Sequence, residues 1–302
     1  MQRLLRGDQW WASPRLWVEW FLVANIAFLA VDISLAHAVN AFEYRAEWIP
    51  IFFSVAATFL LLLAIALGGS KPALRGGEGT GAIGWRQRLA RGIGLAVGWG
   101  SIAVGIAGLI WHLRGEFFQE QTIKNLVYTA PFAAPLAYTG LGLLLILDRM
   151  VDARSLEWSR WVILLAAGGF LGNFVLSLAD HAQNGFFYPS EWIGVIAAAV
   201  AFGFLVAQVA VPDNPALLAM NLALMVVQIV VGLLGSALHA RGNLSHQAGS
   251  PWDRFVYGAP IFAPLLFADL ALLAVLGCWA QLRCLAADDG DPLFFATPVR
   301  HQ

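Results

Sequence analysis

Apolar residues run along the chain in eight blocks, at about 16–37, 48–68, 93–112, 126–147, 161–181, 192–211, 217–238 and 255–282. Each block is long enough, as a helix, to cross the ~30 Å of a bilayer's hydrocarbon core. Short polar hinges separate them, among which Val211-Pro212-Asp213-Asn214-Pro215 reads as a tight turn. The pattern predicts an all-α, polytopic integral membrane protein with eight transmembrane helices. The first block resembles a cleaved signal peptide in having Arg3 and Arg6 before it and Ala36-His37-Ala38 near its end. It is longer than an ordinary signal core, it holds Glu19 and Asp32, and it has a counterpart deep inside the chain, so it reads as retained.

Composition narrows the class further. Of 302 residues, 59% are hydrophobic and 12% charged, and the mean hydropathy is +0.70. A soluble domain carries about a quarter charged residues. The net charge of −1 excludes a nucleic-acid partner, which needs a concentrated basic face. Cys278 and Cys284, the two cysteines, supply no disulfide framework and no cysteine-based metal site.

Basic residues stay on the cytoplasmic side of a membrane. Of the 18 here, 13 fall in the N-terminus, the second, fourth and sixth loops and the C-terminal tail; Arg45, Arg114, Lys124, Arg241 and Arg254 make up the other 5. This split places both termini in the cytoplasm and the chain in a cell (inner) membrane, with lipids as its first partners.

The chain also repeats itself. A shift of 144 residues superimposes His37–Ile49 on His181–Ile193 with eight of thirteen positions identical. Shifts of 127 and 129 superimpose His112-Leu113-Arg114-Gly115 on His239-Ala240-Arg241-Gly242, and Val127–Leu136 on Val256–Leu265. The shift drops because the first copy has a longer second loop, about 69–92, whose Gly-rich part reads as a linker and whose basic part, around Arg86 and Arg88, lies on anionic headgroups. Two tandem four-helix repeats are predicted, 1–150 and 151–302. An even number of spans per copy makes them parallel, with a pseudo-two-fold axis along the membrane normal. Pro131/Pro135 and Pro260/Pro264 predict a kink in the fourth and eighth spans.

The chemistry that survives in both copies is narrow. His37 pairs with His181, His112 with His239, and Glu47 with Glu191. The topology sets all six at the outer face, two imidazoles and one carboxylate per copy. That is a ligand set for non-haem iron or zinc; haem b between the first and third helices is the alternative. Asn40 and Asn184, with Arg114 and Arg241, are the paired polar residues that would contact a cofactor. Gly115 and Gly242 read as helix C-caps, Ser190 as an N-cap. A purely structural reading competes: a helix C-terminus favours histidine and the next N-terminus favours glutamate. Asp180, His246, Glu116, Glu120 and Asp32 lie near these residues in sequence, His301 sits in the polar tail, and Asp269 stands alone within the eighth span.

Three function classes follow. A metal- or haem-binding redox or metalloenzyme-type module ranks first, because the paired groups are good ligands in one layer. A small-solute transporter comes second, and a non-catalytic scaffold or membrane-complex subunit third. No motif identifies a substrate or settles whether the chain is an enzyme.

Overall fold

The computed structural model describes residues 13–68, 84–245 and 249–288, which fold entirely as helices and turns. The Gly-rich segment 69–83, His246 and His301 lie outside the described residues, as do Arg3, Arg6, Lys71, Arg75 and Arg300. Ten α-helices follow in order: α1 Pro14–Ala38, α2 Trp48–Ala66, α3 Trp85–Gly115, α4 Ile123–Tyr128, α5 Leu136–Met150, α6 Leu156–Gln183, α7 Glu191–Ala210, α8 Pro215–Ser245, α9 Pro251–Val256 and α10 Leu265–Asp288. Seven are long and apolar enough to cross a membrane: α1, α2 (with the turn Arg45–Glu47), α3, α6, α7, α8 and α10. This is the make-up of a multi-pass membrane protein, and the many exposed large apolar side chains, such as Phe52, Phe59 and Val230, suit a lipid environment.

Local chemistry explains the boundaries. Ser155 caps α6 by accepting from Trp158 N at 3.1 Å. Asn214, in the expected 211–215 turn, caps α8 by accepting from Leu217 N at 3.1 Å. The third span starts earlier than its apolar block, since Trp85, Arg86, Arg88 and Arg91 already belong to α3.

The fourth and eighth spans differ most from expectation. They are broken, not kinked: α4 gives way to an unwound segment before α5, and α9 to another before α10. The cause is the spacing of the prolines. Pro131 and Pro135, like Pro260 and Pro264, each remove a donor and disfavour helix in the residue before, and two within five residues leave no intact turn between them. The helix resumes directly after the second proline in each case.

Packing forms two rings of four long helices. α1 packs on α2, α2 on α3, α3 on α5 and α5 on α1; likewise α6 on α7, α7 on α8, α8 on α10 and α10 on α6. The rings meet where α5 touches α6 and α1 touches α10, and the short α4 and α9 reach across to α6 and α1 respectively. Close approach within each ring uses glycine at matched places. A side chain at Gly105 would meet the Pro135 carbonyl at 2.9 Å, and one at Gly232 the Pro264 carbonyl at 2.9 Å; Gly108 and Gly235 face the same two prolines at 2.7 Å. These glycines let α3 and α8 press against the start of the resumed helix.

Candidate functional site

His37, Glu47, His112, His181, Glu191 and His239 gather at one end of the bundle, called here the histidine end. Arg15, Arg149 and Arg154 mark the opposite, arginine end.

His37 and His181 sit in the last turn of α1 and α6. Each helix closes by the same backbone device: Phe42 N donates to His37 O at 3.2 Å, and Phe186 N to His181 O at 3.0 Å. This closure needs left-handed backbone at two successive residues, with φ of 54° and 56° at Ala41 and Phe42 and of 66° and 52° at Gly185 and Phe186. Such conformations cost a non-glycine residue about 1–2 kcal/mol each. The offset comes from the ring: Phe42 stacks on Trp48 at 4.5 Å between centroids, and Phe186 on Trp192 at 4.0 Å. His37 and His181 pack against the same two phenylalanines at 6.3 and 6.1 Å.

Glu47 ends the short turn before α2, and Glu191 opens α7. Asn40 Nδ2 donates to Glu47 Oε1 at 2.8 Å. The second oxygen, Oε2, is buried without a hydrogen-bond partner in both Glu47 and Glu191. A buried carboxylate oxygen without a partner is costly, and its recurrence at matched positions calls for a ligand or a proton.

His112 and His239 bind the unwound segments. Their Nδ1 atoms lie 2.9 Å from the Pro131 and Pro260 carbonyl oxygens respectively. A carbonyl only accepts, so Nδ1 carries the hydrogen, and in the neutral ring Nε2 keeps its lone pair. His181 does the same with Ser177 O at 2.9 Å, whereas His37 Nδ1 is buried without a partner. His37 and His112 face each other at 6.3 Å between ring centroids, nearly perpendicular, and His37 lies within electrostatic reach of Glu47. Asp180 lies within reach of His181 and His239. The structure thus brings His37, Glu47 and His112 near one another in the first half, and Asp180, His181 and His239 in the second.

These clusters are open. Among the described residues no three His, Cys, Asp or Glu side chains are grouped closely enough to hold a metal ion. Asn184, Arg114 and Arg241 are exposed, as are Glu116 and Glu120. Two capping expectations fail: Gly115 and Gly242 lie inside α3 and α8 without left-handed backbone, and Ser190 makes no side-chain cap.

Sequence reasoning missed several partners. The Phe42/Trp48 and Phe186/Trp192 stacks were visible as repeated identities, but they carry no titratable chemistry. The proline carbonyls have no side-chain signature at all. At the arginine end, Arg149 pairs with Glu19, Arg15 Nε reaches Asp148 at 3.4 Å and Arg15 Nη2 donates to Asp148 O at 2.7 Å. Glu19, Asp148 and Arg149 are buried. Two arginines that sequence assigns to the headgroup side are therefore turned inward.

Comparison with family models, curated proteins and solved structures gives no match to this chain.

Proposed function

We propose that the chain is an eight-crossing protein of the cell (inner) membrane whose histidine end faces outward and forms two His/Glu metal sites, one per half, of the metalloenzyme or redox type. The eighth crossing is α5, shortened to 15 residues by the break and extended by its unwound lead-in. Two tandem repeats, 1–150 and 151–302, with a parallel pseudo-two-fold relation, account for the matched sequence segments, the two rings and the reciprocal contacts between them. The excess of basic residues at the arginine end favours cytoplasmic termini.

The observation that carries the metal reading is the repeated unpartnered buried oxygen of Glu47 and Glu191, at the end of the bundle that holds the four imidazoles. Three of those four rings, on His112, His181 and His239, are oriented by Nδ1–H bonds to backbone carbonyls. Such a bond fixes the tautomer and orientation of a metal-ligating histidine and presents Nε2 to the ion. Two nitrogens and one oxygen suit non-haem iron or zinc, and ligation draws the open cluster together. A bound metal would supply Lewis acidity or redox chemistry to a small-molecule substrate.

The test uses full-length protein, stripped with chelator and titrated with Zn²⁺ or Fe²⁺ by calorimetry, with elemental analysis and an absorption spectrum before stripping. Binding is expected in wild type and lost in the His37→Gln/His181→Gln double variant, with helix content unchanged. Equal binding in both would return the histidines to a structural role, and a haem Soret band would assign haem b instead.

A second reading rests on the broken fourth and eighth crossings. Discontinuous helices form substrate sites in transporters, which makes a small-solute transporter the alternative. Its signature is solute uptake into vesicles that the double variant leaves unchanged.

A further inference from the structure

Among the polar side chains of α1, Glu19, Asn25, Asp32 and His37 are spaced along one apolar span. At about 1.5 Å per residue they are separated by roughly 9, 10 and 8 Å, so they sample the whole thickness of the bundle. Between them they face three helices, α5, α10 and α3. Glu19 pairs with Arg149 on α5. Asn25 Nδ2 donates to Asp269 Oδ1 on α10 at 2.9 Å, and to Phe21 O of its own helix at 3.0 Å. Asp32 lies within electrostatic reach of Tyr138 on α5, whose hydroxyl bonds Ser54 at 2.6 Å and donates to Pro50 O at 2.9 Å, both on α2. His37 faces His112 on α3.

The same positions on α6, found by the shift of 144, are Ile163, Gly169, Leu176 and His181. Only the histidine is kept. The position matching Asp269 on α5 is Gly140, so the α5–α6 junction packs with no carboxylate where the α1–α10 junction has one. Packing between the rings does not require this acid. An ionisable group within a membrane is costly and marks an ion or proton route more often than a structural contact.

We propose that the first ring and its junction with α10 conduct protons between the arginine end and the histidine end, with Asp269 and Asp32 as successive carriers. The step is a transfer of H⁺ from a carboxylic acid through intervening water to the next carboxylate; O–H bonds break and form, and no electron moves. Glu19 and Asp148 are paired with Arg149 and Arg15 beside the entrance. Asp269 is faced by Asn25, while the titratable groups of α6 and α8 (Glu157, Arg160, Asp180, His181, His239 and Arg241) lie towards the two ends of their helices. Asp32 is faced by Tyr138. None of this depends on a bound metal.

The test is proton uptake into phosphatidylcholine/phosphatidylglycerol vesicles holding full-length, chelator-treated protein and a trapped pH dye, driven by a valinomycin-clamped potassium gradient. Uptake is expected well above protein-free vesicles. Asp269→Asn and Asp32→Asn should each reduce it about tenfold, and Asp269→Glu should retain it, as for a carboxylate relay. Infrared difference spectra between acid and neutral pH, taken on variants shown to be folded by circular dichroism, should lose a carboxylic C=O band in Asp269→Asn. Wild-type uptake equal to empty vesicles, uptake unchanged in Asp269→Asn, or no carboxylic band assignable to Asp269 would each overturn the proposal. Metal titration of the same protein reports on the histidine-end reading separately.

Discussion

At positions matched by the internal shifts, the two halves solve burial in different ways. Arg15, Glu19, Asp148 and Arg149 of the first half correspond to Ser159, Ile163, Gly277 and Cys278 of the second. The first set forms a buried ion network. The second packs as apolar and small groups, with Ile163 so close that a side chain at Gly277 would meet it at 2.7 Å. The second half has its own buried polar groups, but they are neutral amides. Asn221 Nδ2 donates to Gln208 Oε1 at 3.2 Å, Gln228 Nε2 to Ala197 O at 3.1 Å, and Gln281 to Pro212 O. Their counterparts in the first half are Gly94, Ala64, Ser101 and Asp152. The ring of helices therefore requires filled volume, not any particular polarity. A charge network of equal packing is no stronger a support than an apolar one, and it is more fragile, because removing one member strands the others.

The sharpest way to break this comparison is Arg149→Cys, which imports the second half's residue into the first. It leaves the buried Glu19 without its partner, while Asp148 keeps Arg15, and should cost about 3–5 kcal/mol, read as a large fall in thermal midpoint in detergent. Importing the whole set, Glu19→Ile with Asp148→Gly and Arg149→Cys, should recover most of that loss. If the single and combined variants are equally unstable, the two halves do not share a packing plan at this end.

At the histidine end the comparison predicts sameness. Gly105→Ala and Gly232→Ala each push a methyl group against a proline carbonyl at 2.9 Å. Both should lose about 1–3 kcal/mol, and by similar amounts. A loss confined to one half would show that the two broken crossings are seated differently.

The smallest effects belong to the short helices. α4 is capped by Thr122, whose hydroxyl accepts from Asn125 N at 3.1 Å; α9 is capped by a reciprocal pair, Ser250 and Asp253. Thr122→Ala should cost about 1 kcal/mol and should do so at any pH. Hydrogen bonds from the Ser250 backbone N–H and hydroxyl hold the Asp253 carboxyl below the usual carboxylate range. The stabilisation of α9 is thus present above the ordinary Asp pKa of about 3.9 and is lost as pH falls through the lowered value. Amide exchange across acidic pH should show α9 loosening while α4 does not; parallel behaviour would remove this distinction.

The lipid-facing blocks, the hinge at 211–215 and the repeated His/Glu positions are legible because they are one-dimensional signals: runs of apolar residues, turn residues, and recurrence at a fixed shift. The breaks at the two proline pairs were half legible. Pro131 and Pro135 announce lost donors, but whether a helix bends or opens depends on whether something else satisfies the freed carbonyl. Here His112 and His239 do so, from another helix. Asp269 was legible as an anomaly, and its partner Asn25 was not, since a distance of 244 residues along the chain leaves no local trace.

What the sequence determined by itself is the solvent this chain folds in and the residues it reuses, because hydrocarbon demands long apolar helices whose backbone bonds are satisfied within each segment. Tertiary structure alone decided which of the charged residues face inward. Arg149 counts in the sequence among the basic residues of the cytoplasmic loops, yet it is buried against Glu19 because α1 and α5 are neighbours in the ring. It also decided which histidines meet, His37 with His112, and that one buried oxygen of Glu47 and of Glu191 is left without a partner. The physical reason is the same throughout: burial and pairing depend on which helices pack together, and helix neighbours are set by the summed fit of many weak contacts that no single stretch of sequence contains.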